Sequence, residues 1–460
     1  MLLVSPLILA APKPGEGLVY PPLLPGGVPV VSGGDSNLLA VPPSVKLRDG
    51  VAVAQTAPSV DFAFYPGQDK PDFWSNWGDG LAATGAYYSS IGNHKGLDGR
   101  CMVYAWDDAS KTLRMICDVN KLLNLPTNHY NPGKIHGRLD KGSDGWLYFA
   151  TARGSTSVTT PKNHYEGDWI LRVNPATGQS EIVARGPGGL STIFATVVDA
   201  QRMIFYGGTT AADNSNVIGF FAYDLNARKR LYAQAGDGCY KYFMFSQSTG
   251  RVYYIGHKSG CLYRYDPLTP EKAPEILAGK VGLAPPTGGA FGGDPAQEGV
   301  PGLRSATRET GDGFIYTISN PEQGPLIWRF NVKTEKAEKI GVAAVASQTY
   351  VTSIDADPSG RYLYYVPGAH GGAENDGAPL VQYDVARRRP KVIAFLGPWC
   401  EKAAGFRPRG SFGCAVSPAG DKVYVTWHGT RNLTGSAKTL DTCALTVVTV
   451  PSAERSPIRY

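Results

Sequence analysis

The chain has 460 residues, a formal net charge of +6, 18% charged and 11% aromatic residues, and is rich in Gly (56) and Pro (35). Length alone would allow two or three domains, yet closed all-β toroids take this much sequence as one unit. The basic residues are scattered, which argues against nucleic acid as a partner, and no run of eighteen apolar residues is present to span a membrane.

The first segment, Met1 to Pro12, is apolar with small residues at Ala10 and Ala11 but has no positively charged start. It reads either as a signal-peptide remnant or as an ordinary apolar segment. Residues 13–60 are Pro/Gly-rich with few charges (Pro21, Pro22, Pro25, Gly26, Gly27). That composition predicts an extended arm, giving a division into an arm at 1–60 and a body at 61–460.

From there a short strand recurs, ending apolar, any, Arg/Ala/Gln, aromatic or Val, Asp/Asn. Its copies are Val103 to Asp107, Ile170 to Asn174, Phe220 to Asp224, Leu262 to Asp266, Ile327 to Asn331 and Leu380 to Asp384. The period of roughly 40 to 70 residues is that of propeller blades with unequal loops. A second element is a turn followed by an apolar-Tyr strand: Asp144 to Tyr148, Thr249 to Tyr253, Asp312 to Tyr316, Ser359 to Tyr364 and Gly420 to Tyr424. One unit departs, because Gln201 to Phe205 has no Gly. Gly in such a turn supplies the positive φ of a tight hairpin.

Together these predict an all-β, seven-bladed propeller of four-stranded antiparallel blades. The innermost strands of blades two to seven are expected at Ile135 to Leu139, Thr192 to Val198, Tyr240 to Ser246, Leu303 to Arg308, Tyr350 to Asp355 and Ser411 to Val416. Blade one lies between Trp77 and Val119. The last blade has almost no chain after Ala444 to Val450, so its outermost strand is expected from the arm, with Val51 to Gln55 as candidate. Pairing that edge would remove an aggregation hazard.

Seven cysteines follow no zinc or haem spacing. Cys101 and Cys117 flank the turn Asp107 to Lys111, so they are expected to face each other across a hairpin. Cys239 and Cys261 bracket another, and one of Cys400, Cys414 and Cys443 is left over if the other two bond. Pairing would place the protein in an oxidising, extracytoplasmic compartment; the alternative is a set of buried reduced thiols.

In a propeller the segments entering the innermost strands and the loops joining second to third strands share one face. By that rule His94, His129, His136, His164, His257, His370 and His428 all lie on it, with Lys134, Arg153, Arg304, Arg407, Arg409, Arg431, Tyr130 and Tyr165. Imidazoles there can bind a transition metal or move protons, and Arg can neutralise a carboxylate. His136 heads the candidates, since it begins an innermost strand beside Gly137, and Arg304 enters another; His164 and Tyr165 end the long loop Thr151 to Asp168. These four are the catalytic candidates, and His257, His370 and His428 are the metal candidates. The loops Gly368 to Gly377, with Glu374 and Asp376, and Ala278 to Pro301 are expected to overhang the funnel.

The strand spacing and Asp-Gly-x-apolar-Tyr turns resemble, over about residues 60–450, the seven-bladed propellers that include oligogalacturonate lyases, ulvan lyases, streptogramin lyase-like and gluconolactonase-like proteins. The resemblance to the oligogalacturonate lyases implies a divalent metal held by funnel histidines and β-elimination from an acidic sugar, although no His-x-His pair is present here. The resulting expectation is an extracytoplasmic propeller that binds, and cleaves by elimination, an acidic oligo- or polysaccharide. The competing expectation is a non-catalytic ligand-binding or protein-interaction scaffold.

Overall fold

In the computed structural model the described residues are 17–211, 219–239, 241–256, 261–277, 303–321, 324–369, 371–434 and 439–455. They form seven antiparallel sheets arranged as the blades of a ring. From the axis outward, blade one comprises Leu81–Ala83, Ala86–Gly92, Cys101–Asp107 and Thr112–Asp118. Blade two comprises Asp140–Lys141, Leu147–Ala150, Trp169–Val173 and Ser180–Arg185, and blade three Ser191–Asp199, Ile204–Ala211, Phe220–Asp224 and Lys229–Gln234. Blade four is the shortest, with Met244–Phe245, Val252–Ile255, Leu262–Tyr265 and Glu275–Ile276. Blade five comprises Ser305–Ala306, Phe314–Ser319, Leu326–Asn331 and Lys336–Val342, and blade six Val351–Ala356, Tyr362–Pro367, Pro379–Asp384 and Arg389–Phe395. Blade seven begins with Arg407–Val416, Lys422–Thr430 and Thr442–Thr449.

The outermost strands of blade seven are Ser59–Phe64, antiparallel to Thr442–Thr449, and then Val31–Gly33. The segment expected there, Val51 to Gln55, lies elsewhere: Ala52–Val53 runs parallel to the last strand of blade six. Its position is fixed by Glu454, whose Oε1 accepts the Gln55 and Thr56 amides at 2.6 and 2.8 Å. Strand Ser59–Phe64 therefore also straddles the expected boundary at residue 60.

Both repeated sequence elements are turn locks. The Asp or Asn that ends the third strand of blades one to six accepts backbone amides two or three residues on, as Asn174 does from Ala176 and Thr177 and Asp224 from Asn226 and Ala227. This is the Asx-turn geometry that Asp and Asn favour. In five of these six turns a left-handed residue follows four positions on: Lys111, Gly178, Arg228, Glu335 and Arg388 all have positive φ, while blade four has Pro270 there. In the other turn, Asp144 Oδ2 accepts the Tyr148 hydroxyl at 2.7 Å and Asp312 Oδ2 that of Tyr316 at 2.6 Å. The unit without Gly uses Met203 at φ 52° instead.

The apolar core lies in layers between neighbouring blades. Tyr65, Tyr87, Trp106, Tyr424 and Leu445 fill the seam between blades seven and one, and Tyr206, Phe220, Tyr254 and Tyr263 that between three and four. Near the axis, side chains of one innermost strand receive amides of the next. Asp140 accepts from Val198, Ser305 from Ile354, Ser353 from Cys414 and Asp355 from Val416, at 2.8–3.1 Å. Such bonds satisfy backbone donors that a strand without an inner neighbour would leave open.

The innermost strand of blade two is shorter than expected. Regular pairing covers Asp140–Lys141, with a single bridge from Lys134 to Ala152. Residues 135–139 are wedged between blades: a Cβ on Gly78 would meet the Gly137 carbonyl at 2.3 Å, and one on Gly137 would meet Thr196 Oγ1 at 2.2 Å. Thr196 in turn donates to the Arg138 carbonyl.

No disulfide forms among the described residues, and Cys101 and Cys117 do not lie directly opposite each other. A bulge between Val103 and Tyr104 sets Cys117 opposite Val103, while Cys101 pairs with Gly92 on its other side. Cys239 Sγ donates to the Tyr242 carbonyl. Cys101, Cys117, Cys239, Cys400, Cys414 and Cys443 are buried free thiols, so cysteine usage does not point to a compartment. Among the described residues, no helix is long and apolar enough to cross a membrane.

Candidate functional site

At the upper mouth of the ring, each blade contributes a large side chain from the segment entering its innermost strand or from within that strand. They are Trp77, His136, Phe194, Lys241, Arg304, Tyr350 and Phe412 in blade order. One arc of this ring is aromatic. The Phe412 and Trp77 rings are 4.3 Å apart, Trp77 and His136 are stacked at 5.8 Å, and His136 and Phe194 at 4.4 Å. His94 lies 5.3 Å from Trp77 and stacks on Trp74, while His428 lies 5.5 Å from Phe412. His94, His136 and His428 thus converge around the Trp77–Phe412 pair.

The other arc carries Lys241 and Arg304, and two more cations, Lys134 and Arg153, lie over the aromatic arc. Arg304 is 1% exposed; its Nε donates to Tyr350 Oη at 3.0 Å and its guanidinium lies over Phe412. Its Nη2 is buried without a hydrogen-bond partner. Burial works against its charge, but Tyr350, Tyr242 and Asp79 more than offset that and hold its pKa above the usual value. Lys134 Nζ lies 4.9 Å from the ring centres of both Trp77 and Phe194, and Arg153 lies over Phe194. Burial, helped by Arg153 and Arg304, brings the Lys134 pKa down to about 7.

His136 has a fixed tautomer. Its Nδ1 donates to the Phe194 carbonyl at 2.8 Å, leaving Nε2 as the nitrogen with the lone pair. Burial, then Lys241, Lys134 and Arg304, push its pKa well below the usual histidine range, so it is neutral. His428 Nδ1 donates to Asn76 Oδ1 at 2.9 Å, and Asn76 Nδ2 donates on to the Thr426 carbonyl.

Beneath the funnel the axis is barred. Asp79, leading into blade one, accepts hydrogen bonds from Ser353 of blade six at 2.9 Å and from Tyr242 of blade four. Arg138 of blade two donates to the Ala306 carbonyl of blade five. Burial raises Asp79 to about 6 against the pull of Arg138. Below this crossbar, a separate cavity of about 250 Å³ is lined by Arg138, Arg308, Glu309, Asp355 and Asp357 among others.

Of the catalytic candidates, His136 and Arg304 belong to the funnel and the other two are placed differently. His164 is exposed and stacks on His129 at 3.9 Å. The Tyr165 hydroxyl donates to Asp168 at 3.3 Å, alongside Tyr130 and Thr151 at 2.8 Å. Neither residue shares a hydrogen bond or ring contact with His136 or Arg304. Strand direction assigns the loop histidines to one face, but only packing decides which reach the axis.

His257, His370 and the loop 278–302 lie outside the described residues. Among the described residues, no three His, Cys, Asp or Glu side chains cluster as metal ligands. The surroundings of His136 are cationic, which opposes a second positive ion, so the described funnel does not fit a divalent metal. The acidic residues of Gly368 to Gly377 are committed elsewhere: Glu374 pairs with Arg409 at 2.8 Å and Asp376 accepts from Ser347. Arg407 pairs with Glu401, and Arg431 lies over Tyr20.

The sequence reading missed Trp77, Phe194, Lys241, Tyr350 and Phe412. Their signal was positional, since each falls near the entrance of an innermost strand, yet only coordinates show that these entrances meet.

No protein-family model and no curated protein matches the chain. Among solved structures, it is similar to oligogalacturonate lyase from Vibrio parahaemolyticus, at 9% identity and TM-score 0.52, covering 93% of this chain and 98% of that one. It is also similar to the RRP9 WD40 repeats, at 9% identity, TM-score 0.49, and 82% and 95% coverage. A third is hydrazine synthase from Kuenenia stuttgartiensis, at 11% identity, TM-score 0.49, and 79% and 96% coverage. The likeness to the lyase shows the propeller fold alone.

Proposed function

We propose that the upper funnel of this seven-bladed propeller binds an acidic saccharide and cleaves it by β-elimination. The observation that carries this reading is the pairing of flat aromatic faces from Phe412 to Phe194 with the buried cations Arg304 and Lys134 and the half-buried Lys241. A uronate sugar has a matching pair of features, an apolar ring face and a carboxylate. The unpartnered Arg304 Nη2 is a donor that a carboxylate oxygen would satisfy.

The reaction follows from the same groups. Neutralising the carboxylate acidifies the C5–H bond. His136 Nε2 takes that proton, the C5–H electrons form the C4–C5 double bond, and the glycosidic oxygen leaves C4 with its bonding pair. The Lys134 ammonium, with its pKa about 7, is suited to protonate that oxygen near neutral pH. The lyase named among the structural neighbours acts on an acidic oligosaccharide by its title, which agrees with this reading without carrying it.

A second reading, a binding propeller without chemistry, is favoured by His136 being only 2% exposed. Incubation with a panel of uronic-acid oligosaccharides, with and without divalent metals, separates the two by the ultraviolet absorbance of unsaturated product. Saturable binding with no product supports the second reading, and no binding of any uronate overturns both.

A further inference from the structure

We propose that Lys134 is a reactive amine that captures the carbonyl group of a small anionic aldehyde or keto acid as an imine. The proposal needs the funnel to admit an anion but does not depend on saccharide cleavage.

Lys134 is 6% exposed, and among the described residues no carboxylate lies within ion-pair distance of it. A buried lysine ordinarily has such a partner. Instead its Nζ donates to His94 Nε2 at 3.2 Å and is clasped between the faces of Trp77 and Phe194. The charged groups near it are Arg153, Arg304 and Asp168. Asp168 is occupied by the hydroxyls of Tyr130, Thr151 and Tyr165, and burial has raised its own pKa to about 6. No ion-paired carboxylate holds the ammonium form, and the surrounding cations attract an anionic partner while disfavouring a further positive charge.

His94 supplies the proton path. An ammonium has only donors, so the His94 nitrogen facing it carries a lone pair and can take the amine proton. The freed Nζ electron pair then forms a bond to the carbonyl carbon, the C=O π pair moves onto oxygen, and one of the two remaining Nζ protons passes to that oxygen to make a hydroxyl. His94 returns its proton to that hydroxyl, which leaves as water while the second amine proton is lost to solvent. The product is an imine, with amine and carbonyl consumed one for one and no change in oxidation state.

The test uses the intact chain with glyoxylate and sodium cyanoborohydride at pH 7, which delivers hydride to the imine carbon and leaves a stable carboxymethyl-lysine. Peptide mass mapping compares Lys134 with Lys121, whose side chain is 81% exposed. An exposed lysine is neutral at pH 7 to only about one part in several thousand. Lys134 is expected to label at least about tenfold faster than Lys121, faster than access alone would give. The Lys134→Arg protein should lose that adduct while Lys121 labels unchanged, and excess glycolate, which lacks the carbonyl, should slow Lys134 alone. Labelling of Lys134 no faster than Lys121 in the wild-type chain overturns the proposal, whether or not the arginine variant folds. Adduct formation without uronate cleavage would overturn the lyase reading and leave this one standing.

Discussion

Arg304 illustrates how one side chain acquires a task through its surroundings. Its charge is held by Tyr350, Tyr242 and Asp79, and its stem and guanidinium lie against Phe412, yet one nitrogen is left without a partner. Replacement Arg304→Met keeps most of the volume and removes the donor. Affinity for acidic saccharides, measured by calorimetry, should fall by about 10 to 100-fold, the value of one or two hydrogen bonds to a charged group. Lys134 makes a second prediction at this scale. Its folded pKa of about 7 is depressed below that of an unfolded lysine, so its ammonium prevails only below that pH. Anion binding should weaken as pH rises through about 7, and Lys134→Met should flatten that dependence. Between pH 7 and about 10 the unfolded chain binds more protons than the folded one, so stability attributable to Lys134 rises with pH over that window.

At the scale of the element, the turns explain why the repeat is visible at all. Asp224 accepts two amides at 2.9 and 2.8 Å in the turn between the outer strands of blade three, and Arg228 follows in a left-handed conformation. Asp224→Ala should lower stability by about 1 kcal/mol, read from denaturant unfolding, and leave saccharide binding unchanged because this turn is on the face opposite the funnel. Glu454 is a heavier joint. Its carboxylate, 6% exposed, accepts the Gln55 and Thr56 amides and pairs with Lys391 at 2.7 Å. Glu454→Ala leaves two amides and an ammonium partly buried and should cost about 2–4 kcal/mol in the same measurement.

The whole molecule depends on seams. Strand Ser59–Phe64 completes the outer part of blade seven, and Tyr65 directly after it bonds Ser89 of blade one at 2.8 Å and Thr426 of blade seven at 2.7 Å. Removing residues 1–64 would uncover the edge of Thr442–Thr449; calorimetry, expected to show one cooperative unfolding transition for the full chain, should show aggregation in its place for the truncated one. The crossbar and Asp168 also set a pH response. Both Asp79 and Asp168 are raised to about 6 by burial, so the folded chain holds these protons more tightly than the unfolded chain does. The stability they contribute is full below about pH 4 and is lost as pH rises through 6. Asp79→Asn should remove part of that loss, visible as a shallower fall in Tm between pH 4 and 6.

What the amino-acid sequence determined by itself was local: the Asp- and Asn-ended strands, the Gly turns and hence the number of blades. Each is set by hydrogen bonds closed within a few residues, as Asn174 and Asp144 show. The assignment of His136 and Arg304 to the funnel was legible because each stands at the entrance of an innermost strand. The tertiary structure alone decided that Trp77, Phe194 and Phe412 meet them, that Tyr165 turns to Asp168, that Cys117 lies opposite Val103 and not Cys101, and that Ser59–Phe64 rather than Val51 to Gln55 lies beside the last strand. These contacts join residues tens to hundreds of positions apart. Their register is fixed by packing between blades, which no local pattern encodes.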